Sequence, residues 1–296
     1  MPAVLSDGSF ELDGFQFGGE SDSVVVQPGG FDSGTANWRT QDQDNPSGDS
    51  LMFGRDFLTG PTWGFVLLSN EYTATDALDS LDAMATLWLN NASRSTPGAV
   101  STLRYNIGGR TRRVYGRPRR WNTAVTPGLW SGVAPVIADF KRVDALHYDD
   151  ALRTIQVSII PATTGGLLAP LAAPLSTLGG GERQGVIDSV GGSAPTPFIA
   201  VIEGPITSPW ISGPGWKLTF LTTLAYDQSL TVDTRPWAKT ILRQDGASLA
   251  GTLTRTSTPL AEALLKPGGA ELIFGGIDAT GTARCTVSWR PTYHSL

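Results

Sequence analysis

The chain contains one cysteine and two histidines among its 296 residues. The single thiol, Cys285, cannot form an intrachain disulfide and suits a fold that is completed in a reducing cytosol. His147 and His294, without a Cys/His cluster, do not supply a zinc site. The first residues lack a basic segment followed by an apolar run, and no stretch approaches the length of a membrane span. We therefore expect no disulfide framework, no zinc site, no secretory signal and no membrane segment.

Charge of one sign is scarce in one long segment and missing from another. The first 82 residues hold 14 acidic residues and only two basic ones, Arg39 and Arg55, whereas residues 94–121 hold eight arginines and no carboxylate. Interspersed charge already keeps a monomer soluble, whereas an acidic patch that meets a basic patch on another copy sets register and speeds encounter. The segregation therefore favours an assembly subunit over an enzyme. Six of the arginines fall within eleven residues: Arg110, Arg112, Arg113, Arg117, Arg119 and Arg120.

Glycine and proline punctuate the whole chain. The 35 glycines and 20 prolines follow no triplet period, which suits many short strands joined by tight turns. Nine tryptophans and a hydrophobic content of 40% supply material for packed cores. We predict a mainly β protein with two β-sandwich-type domains. Their bounds are 1–163 and 194–296, joined by a Gly/Pro-rich connection at 164–193, and a strand at 153–160 completes the first.

One segment has helical periodicity instead. Its apolar residues recur at spacings of three and four and predict a single α-helix over about 74–91. Thr73, with Asp76 three residues later, resembles a capping box, and Asn90-Asn91 end the pattern. The apolar stripe consists of Leu78, Leu81, Met84, Ala85 and Trp88.

The arginine-rich segment follows the helix. Thr102–Ile107, Gly108-Gly109 and Arg110–Tyr115 predict a hairpin with a two-residue turn, so strands carry the arginines. Residues 32–50 are rich in Asn, Asp, Gly and Ser and predict a long loop or arm.

Catalytic motifs are weak. Two carboxylate pairs, Glu11 with Asp13 and Asp149 with Asp150, are the candidates for a glycosidase. Adjacent carboxylates on a strand point to opposite faces, and Glu11 and Asp13 belong to the side expected to face solvent. No nucleophile elbow, phosphate loop, dinucleotide fingerprint or metal motif occurs. We predict a protein that is not an enzyme and has no cofactor and no metal.

Three interpretations of the six arginines remain open. Arginine suits bidentate contact with carboxylates of another subunit, a solvated surface needs no partner, and clustered arginines bind nucleic acid. Tyr105, Tyr115 and Trp121 would stack on bases in the last case. Residues 1–163 hold 13 basic and 18 acidic residues, so we favour subunit contact.

Two aromatic residues near a turn suggest a different kind of site. Trp210 and Trp216 flank Gly213-Pro214-Gly215 and would form a glycan-binding platform if a loop displays them. Packing at an edge or in the core is the alternative for both rings.

Several motifs, in this order, carry a family resemblance. The chain resembles the distal tail proteins of long-tailed, non-contractile phages (siphoviruses), which actinobacterial phages commonly name minor tail proteins. The motifs are Phe53-Gly-Arg-Asp56, Thr62-Trp-Gly-Phe65, the helix to Trp88, Arg113–Arg119, residues 194–209, Gly215–Thr219, Leu230–Asp233 and Leu265–Phe274.

The resemblance implies a structural protein of the virion tail tip, or baseplate, assembled in the host cytoplasm. A ring of six subunits, built by an N-terminal β-sandwich with one helix, would join the tail tube to the tail-tip hub. DNA would pass through without specific binding, and receptor-binding proteins are further candidate partners. The C-terminal domain would be a galectin-like sandwich. The alternative function is a host cell-surface glycan-binding adhesin that acts through this sandwich.

Overall fold

The computed structural model describes residues 4–159, 180–278 and 280–296. The fold is mainly β, as predicted, with 23 strands in that part of the chain. The chain divides into two compact units, Met1–Asp150 with Tyr293–Leu296, and Ala151–Thr292. Of the connection predicted at 164–193, residues 164–179 lie outside the described part.

The first unit is built on one antiparallel sheet. Its strands follow the order β2-β1-β9-β10-β11-β8-β3, and β12 pairs with β10. The bounds are β1 Phe10–Leu12, β2 Phe15–Phe17, β3 Val24–Asp32, β4 Trp38–Arg39, β5 Gln43–Asp44, β6 Leu51–Met52, β7 Phe57–Leu58, β8 Thr62–Ser69, β9 Ser101–Ile107, β10 Arg110–Thr123, β11 Pro135–Arg142 and β12 His147–Asp149.

This sheet curls around its own core. Phe10 on β1 lies 5.1 Å, between ring centroids, from Phe31 on β3, although four strands separate β1 from β3 in the sheet order. A bridge between Gly18, which follows β2, and Val25 on β3 brings the two edges of the sheet together. One curled sheet with a helix therefore encloses the core, where we expected two separate sheets.

The predicted helix is present as α1, Ala74–Trp88, and a short helix α2, Asn91–Ser95, follows it. Thr73 caps α1, because its hydroxyl oxygen accepts a hydrogen bond from the Asp76 amide at 3.2 Å. The predicted stripe is wrong at one position, since Leu78 is 48% exposed. The buried face consists of Ala77, Leu81, Met84 and Trp88.

The second unit is a β-sandwich of two five-stranded antiparallel sheets that share one core. One sheet has the order β13-β22-β15-β19-β20, and the other has β14-β21-β16-β17 with β18 paired to β16. β13, which we had assigned to the first unit, pairs with β22 of this sandwich. The bounds are β13 Arg153–Ser158, β14 Gly180–Ile187, β15 Phe198–Glu203, β16 Ile206–Gly213, β17 Trp216–Thr219, β18 Thr223–Leu224, β19 Ser229–Asp233, β20 Thr240–Arg243, β21 Ala270–Ile277 and β22 Arg284–Trp289. The last strand, β23 Thr292–Tyr293, pairs with β12 and belongs to the nine-stranded sheet.

Cys285 lies in this core. It is fully buried on β22, and burial raises the pKa of its thiol. No helix of the described residues is long and apolar enough to cross a membrane.

Candidate subunit interface

The arginine-rich segment forms the predicted hairpin. Arg110 on β10 pairs with Ile107 on β9, and Gly108 and Gly109 make the turn with φ values of 62° and 73°. Both glycines therefore have the positive φ that a two-residue type I′ hairpin turn requires at its two central positions. The Asp7 carboxylate accepts a hydrogen bond from the Gly108 amide at 2.7 Å, so the turn is also tied to the N-terminal segment.

Two of the segment's guanidinium groups share one carboxylate. Arg104 on β9 lies directly opposite Arg113 on β10, a pairing that would be repulsive alone. Asp150 bridges the two, at 2.8 Å from Arg104 Nη2 and 3.0 Å from Arg113 Nε. Arg104 also forms an ion pair with Glu11 on β1. Glu11 and Asp150, considered above as catalytic acids, are both partners of arginines.

The ionisation of Asp150 reflects this arrangement. Burial raises its pKa, but the hydrogen bonds from Arg104 and Arg113 outweigh burial and hold the pKa below the usual range. The pKa of Arg104 is raised, chiefly by its hydrogen bond to Asp150. The Asp150 carboxylate and the Arg104 guanidinium are therefore charged at neutral pH.

Two further arginines of the predicted set hold segments of their own chain. Arg112 is buried, lies over the Tyr293 ring at 3.8 Å and donates to the Ser295 carbonyl oxygen at 2.6 Å. Arg117 donates to the carbonyl oxygens of Ala99 and Thr96, at 2.7 and 2.8 Å. These contacts anchor the C-terminal residues and the loop before β9.

The remaining three arginines, Arg110, Arg119 and Arg120, are exposed. Within the described residues none of the three has an ion-pair partner. The structure therefore divides the predicted set of six into three arginines with internal contacts and three that are available to another molecule.

The aromatic residues of the segment do not form a base-stacking surface. Tyr105 and Tyr115 are 1% and 8% exposed, and the Trp121 ring lies 5.9 Å from the Trp88 ring. The stacking role considered for these rings is therefore wrong, because Tyr105 lies in the core, Trp121 packs against that core and the Tyr115 ring lies 5.0 Å from the Tyr148 ring.

A buried polar cluster that the sequence analysis missed lies beside this core. Arg142 Nη1 lies 3.2 Å from His147 Nε2, and the Tyr105 hydroxyl lies 2.6 Å from His147 Nδ1. A guanidinium only donates, so Nε2 accepts and Nδ1 carries the proton. Burial and the charges of Arg142 and Arg112 lower the pKa of His147 to about 3. Burial also raises the pKa of Tyr105 to about 12 and lowers that of Arg142 to about 10.

Residues 37–59 form an arm, in the region where the sequence predicted a long loop or arm. Two small ladders, β4 with β7 and β5 with β6, build it. Arg39 and Arg55 lie over the Phe57 ring, at 5.0 and 5.3 Å. The arm leaves large apolar side chains exposed, including Trp38 at 62% and Phe53 at 84%.

Trp210 and Trp216 do not form the glycan platform considered above. Trp216 is buried, stacks on Phe198 at 5.0 Å and donates to the Leu264 carbonyl oxygen at 3.0 Å. One face of the Trp210 ring covers Gly275, its partner across the strands, and Lys217 Nζ lies 4.1 Å from the ring centroid. Trp216 covers Gly213 in the same way. Both rings fill space above cross-strand glycines.

Comparison with known proteins finds solved structures with a similar architecture. No protein-family model and no curated protein matches the chain. A solved structure, the SPP1 Dit (gp 19.1) protein, matches with a TM-score of 0.55 and 16% identity over 96% of this chain and 98% of that one. A chain of the phage p2 baseplate in its activated conformation with Sr matches with a TM-score of 0.51 and 12% identity, over 97% and 99%.

The chain has the fold of these phage proteins. SPP1 Dit is described as a paradigm of the hub adsorption apparatus in phages that infect Gram-positive bacteria. Because the match covers nearly the whole length of both chains, both units and their order along the chain belong to the shared fold.

Proposed function

We propose that this protein is a non-enzymatic structural subunit of a phage tail tip. In this proposal six copies form a closed ring that joins the tail tube to the tail-tip hub. The observation that carries it is the fold similarity to SPP1 Dit over 96% of this chain, in which both units are matched. The family resemblance of the sequence motifs points the same way, and it supports a galectin-like C-terminal sandwich.

One side of the subunit contact is assigned to Arg110, Arg119 and Arg120. All three are exposed, and residues 94–121 contain no carboxylate that could neutralise them locally. Guanidinium groups bind carboxylates of a neighbour with two parallel hydrogen bonds. The other three arginines of the predicted set are excluded from this role, because their contacts lie within the chain.

The other side is assigned to the arm, residues 37–59. Asp44, Asp49 and Asp56 are exposed on it, and so are the apolar Trp38 and Phe53. Exposed apolar side chains that are grouped together mark protein contact surfaces. A surface that offers acidic and apolar groups on one side and basic groups on the other makes a heterologous contact, which forms a ring when the rotation between neighbours completes a circle.

Mass measurement tests the ring. We expect native mass spectrometry of the purified chain to show a closed oligomer of six at moderate salt. The triple variant Arg110→Gln/Arg119→Gln/Arg120→Gln is expected to dissociate it. The control is Arg243→Gln/Arg255→Gln in the second unit, which removes two arginines elsewhere and should leave the mass unchanged. A monomer from the unmodified chain would contradict the ring, and an intact ring from the triple variant would contradict the assigned contact.

We also expect the central channel of such a ring to have a negatively charged lining. Residues 1–163 hold an excess of five carboxylates, and a negative lining would keep DNA from adhering during passage. Electron microscopy of the assembled ring would show the sign of the lining, and a bore lined by arginines would reverse this view.

A further inference from the structure

The second unit contains a polar cavity that belongs neither to the arginine segment nor to the tryptophans considered above. Its volume is about 470 Å³, which lies within the range of small-ligand sites. Its lining consists of Glu203, Gly204, Tyr226, Asp227, Gln228, Ser229, Thr282 and Arg284.

Three neighbouring strands place polar groups in a row along this cavity. Glu203 at the end of β15 is directly paired with Arg284 on β22 and with Ser229 on β19. Directly paired residues share one face of a sheet, and adjacent strands lie about 4.8 Å apart, so the row spans roughly 10 Å. Glu203 and Arg284 also form an ion pair. This spacing matches the separation of hydroxyl groups along one or two sugar rings.

An exposed aromatic ring stands beside the row. Tyr226 is 79% exposed, and within the described residues its ring has no aromatic or cationic contact. A tyrosine ring offers an apolar face together with a hydroxyl group. The apolar C–H face of a pyranose packs against such a ring while its hydroxyl groups reach the neighbouring polar side chains.

The turn that carries Tyr226 is held in place. The backbone N–H of Gln228 donates to the Ala225 carbonyl oxygen at 3.1 Å, and the side-chain Oε1 of Gln228 accepts from the backbone N–H of Ala225 at 3.1 Å. The Gly204 amide donates to the Gln228 carbonyl oxygen at 3.0 Å, which ties the turn to β15. A site whose parts are already fixed loses little conformational entropy when it binds.

The charge of the cavity selects among ligands. Glu203 and Arg284 offset each other, so Asp227 leaves the lining with a net charge of about −1. This charge disfavours phosphates and nucleic acids. The lining offers carboxylate acceptors, guanidinium donors, and amide and hydroxyl groups that do both, the combination that vicinal hydroxyl groups require.

We propose that this cavity binds a neutral, hydroxyl-rich saccharide. Tyr226 packs on a sugar ring, and the Arg284–Glu203–Ser229 row forms hydrogen bonds with the hydroxyl groups of the sugar. The site does not depend on the ring proposed above, because every lining residue belongs to the second unit of a single chain.

Saturation-transfer NMR tests the site on the full chain. The probes are glucose, galactose, N-acetylglucosamine and lactose, with inorganic phosphate as a separate arm followed by its ³¹P line width. We expect transfer to at least one saccharide and no broadening of phosphate. Tyr226→Ala should reduce the transfer about fivefold or more, and Glu203→Gln should weaken it by a similar factor, since each removes about 1 kcal/mol of contact.

Two controls make the result decisive. Tyr72→Ala removes a tyrosine that is 95% exposed in the first unit and should leave the transfer unchanged. Tyr226→Phe keeps the ring and should retain most of the signal. Transfer to none of the four saccharides, an unchanged signal in Tyr226→Ala, or binding of phosphate instead would each overturn the proposal. Native mass spectrometry of the same samples shows whether the ring has formed, so a failure to bind saccharide can be told apart from a failure to assemble.

Discussion

A buried arginine of the first unit has partners that are distant along the chain, whereas a buried aspartate of the second unit has near neighbours. Arg104 contacts Glu11 and Asp150, which lie 93 and 46 residues away along the chain. In the second unit, the buried Asp278 accepts hydrogen bonds from the amides of Thr280 and Ala283, only two and five residues further on.

The two kinds of contact depend on different amounts of folded structure. The long-range ion pairs form only when β1, β9 and β10 have come together, so they depend on the complete tertiary structure. The hydrogen bonds of Asp278 form within one turn and need little beyond it. We therefore expect substitution and pH to affect the Arg104–Asp150 cluster of the first unit more strongly than the Asp278 turn of the second.

The largest expected effect is that of Asp150→Asn. It leaves Arg104 and Arg113 opposite each other without their shared charge, and breaking a buried ion pair costs several kcal/mol. Because the Asp150 side chain keeps 15% exposure, we expect a loss of about 3 kcal/mol in the free energy of unfolding. Urea unfolding with hydrogen exchange of the β9 amides measures it.

The matched control for this change is Asp245→Asn. Asp245 forms an ion pair with Arg243 that is open to solvent, and we expect no measurable change. Equal losses in the two variants would contradict the contrast between the units.

The second expected effect is a dependence on pH that His147 carries. Unfolded histidine takes up its proton near pH 6.5, whereas His147 in the folded chain does so near 3. The unfolded state binds more protons between these values, so stability is complete above pH 6.5 and falls as the pH drops. The slope is about 1.4 kcal/mol per pH unit. Asp150 adds to the loss at the acidic end, because its folded pKa is also lowered.

Unfolding measured between pH 7 and pH 4 tests this dependence. We expect His147→Gln to flatten the slope above pH 5, and His294→Gln to leave it as it is. A slope that persists in the His147 variant would show that other groups cause it.

The smallest expected effect belongs to the second unit. Asp278→Asn keeps one acceptor oxygen but replaces the other with an NH₂ group, which faces the backbone N–H of Ala283. We expect the free energy of unfolding to fall by about 1 kcal/mol. Faster hydrogen exchange should be confined to Thr280 and Ala283. Exchange that spreads into β15 or β22 would show that this turn supports the whole sandwich.

Local patterns predicted the elements of this fold well. The capping pair Thr73 and Asp76 and the spacing up to Trp88 marked the helix, and Gly108-Gly109 marked the hairpin, because these signals depend on neighbours within a few residues. The exposure of Leu78 was missed, since the rotation of a helix about its axis is set by the sheet against which it packs.

The candidate sites were harder to predict for the same reason. Nothing in residues 110–120 distinguishes Arg113, which pairs with Asp150, from Arg119, which stays exposed. Trp210 and Trp216 gave no local sign that each covers a glycine on a paired strand. The cavity at Glu203 joins residues from three strands and a turn, so no contiguous motif marks it.

The sequence by itself determined the mainly β character, the helix with its cap, the arginine hairpin and the separation of acidic from basic segments. These features follow from spacing and composition over short distances. Only the tertiary structure decided which arginines meet carboxylates of their own chain, which rings are buried and where a polar cavity opens. Those outcomes depend on strand register, which pairs residues that can lie a hundred positions apart.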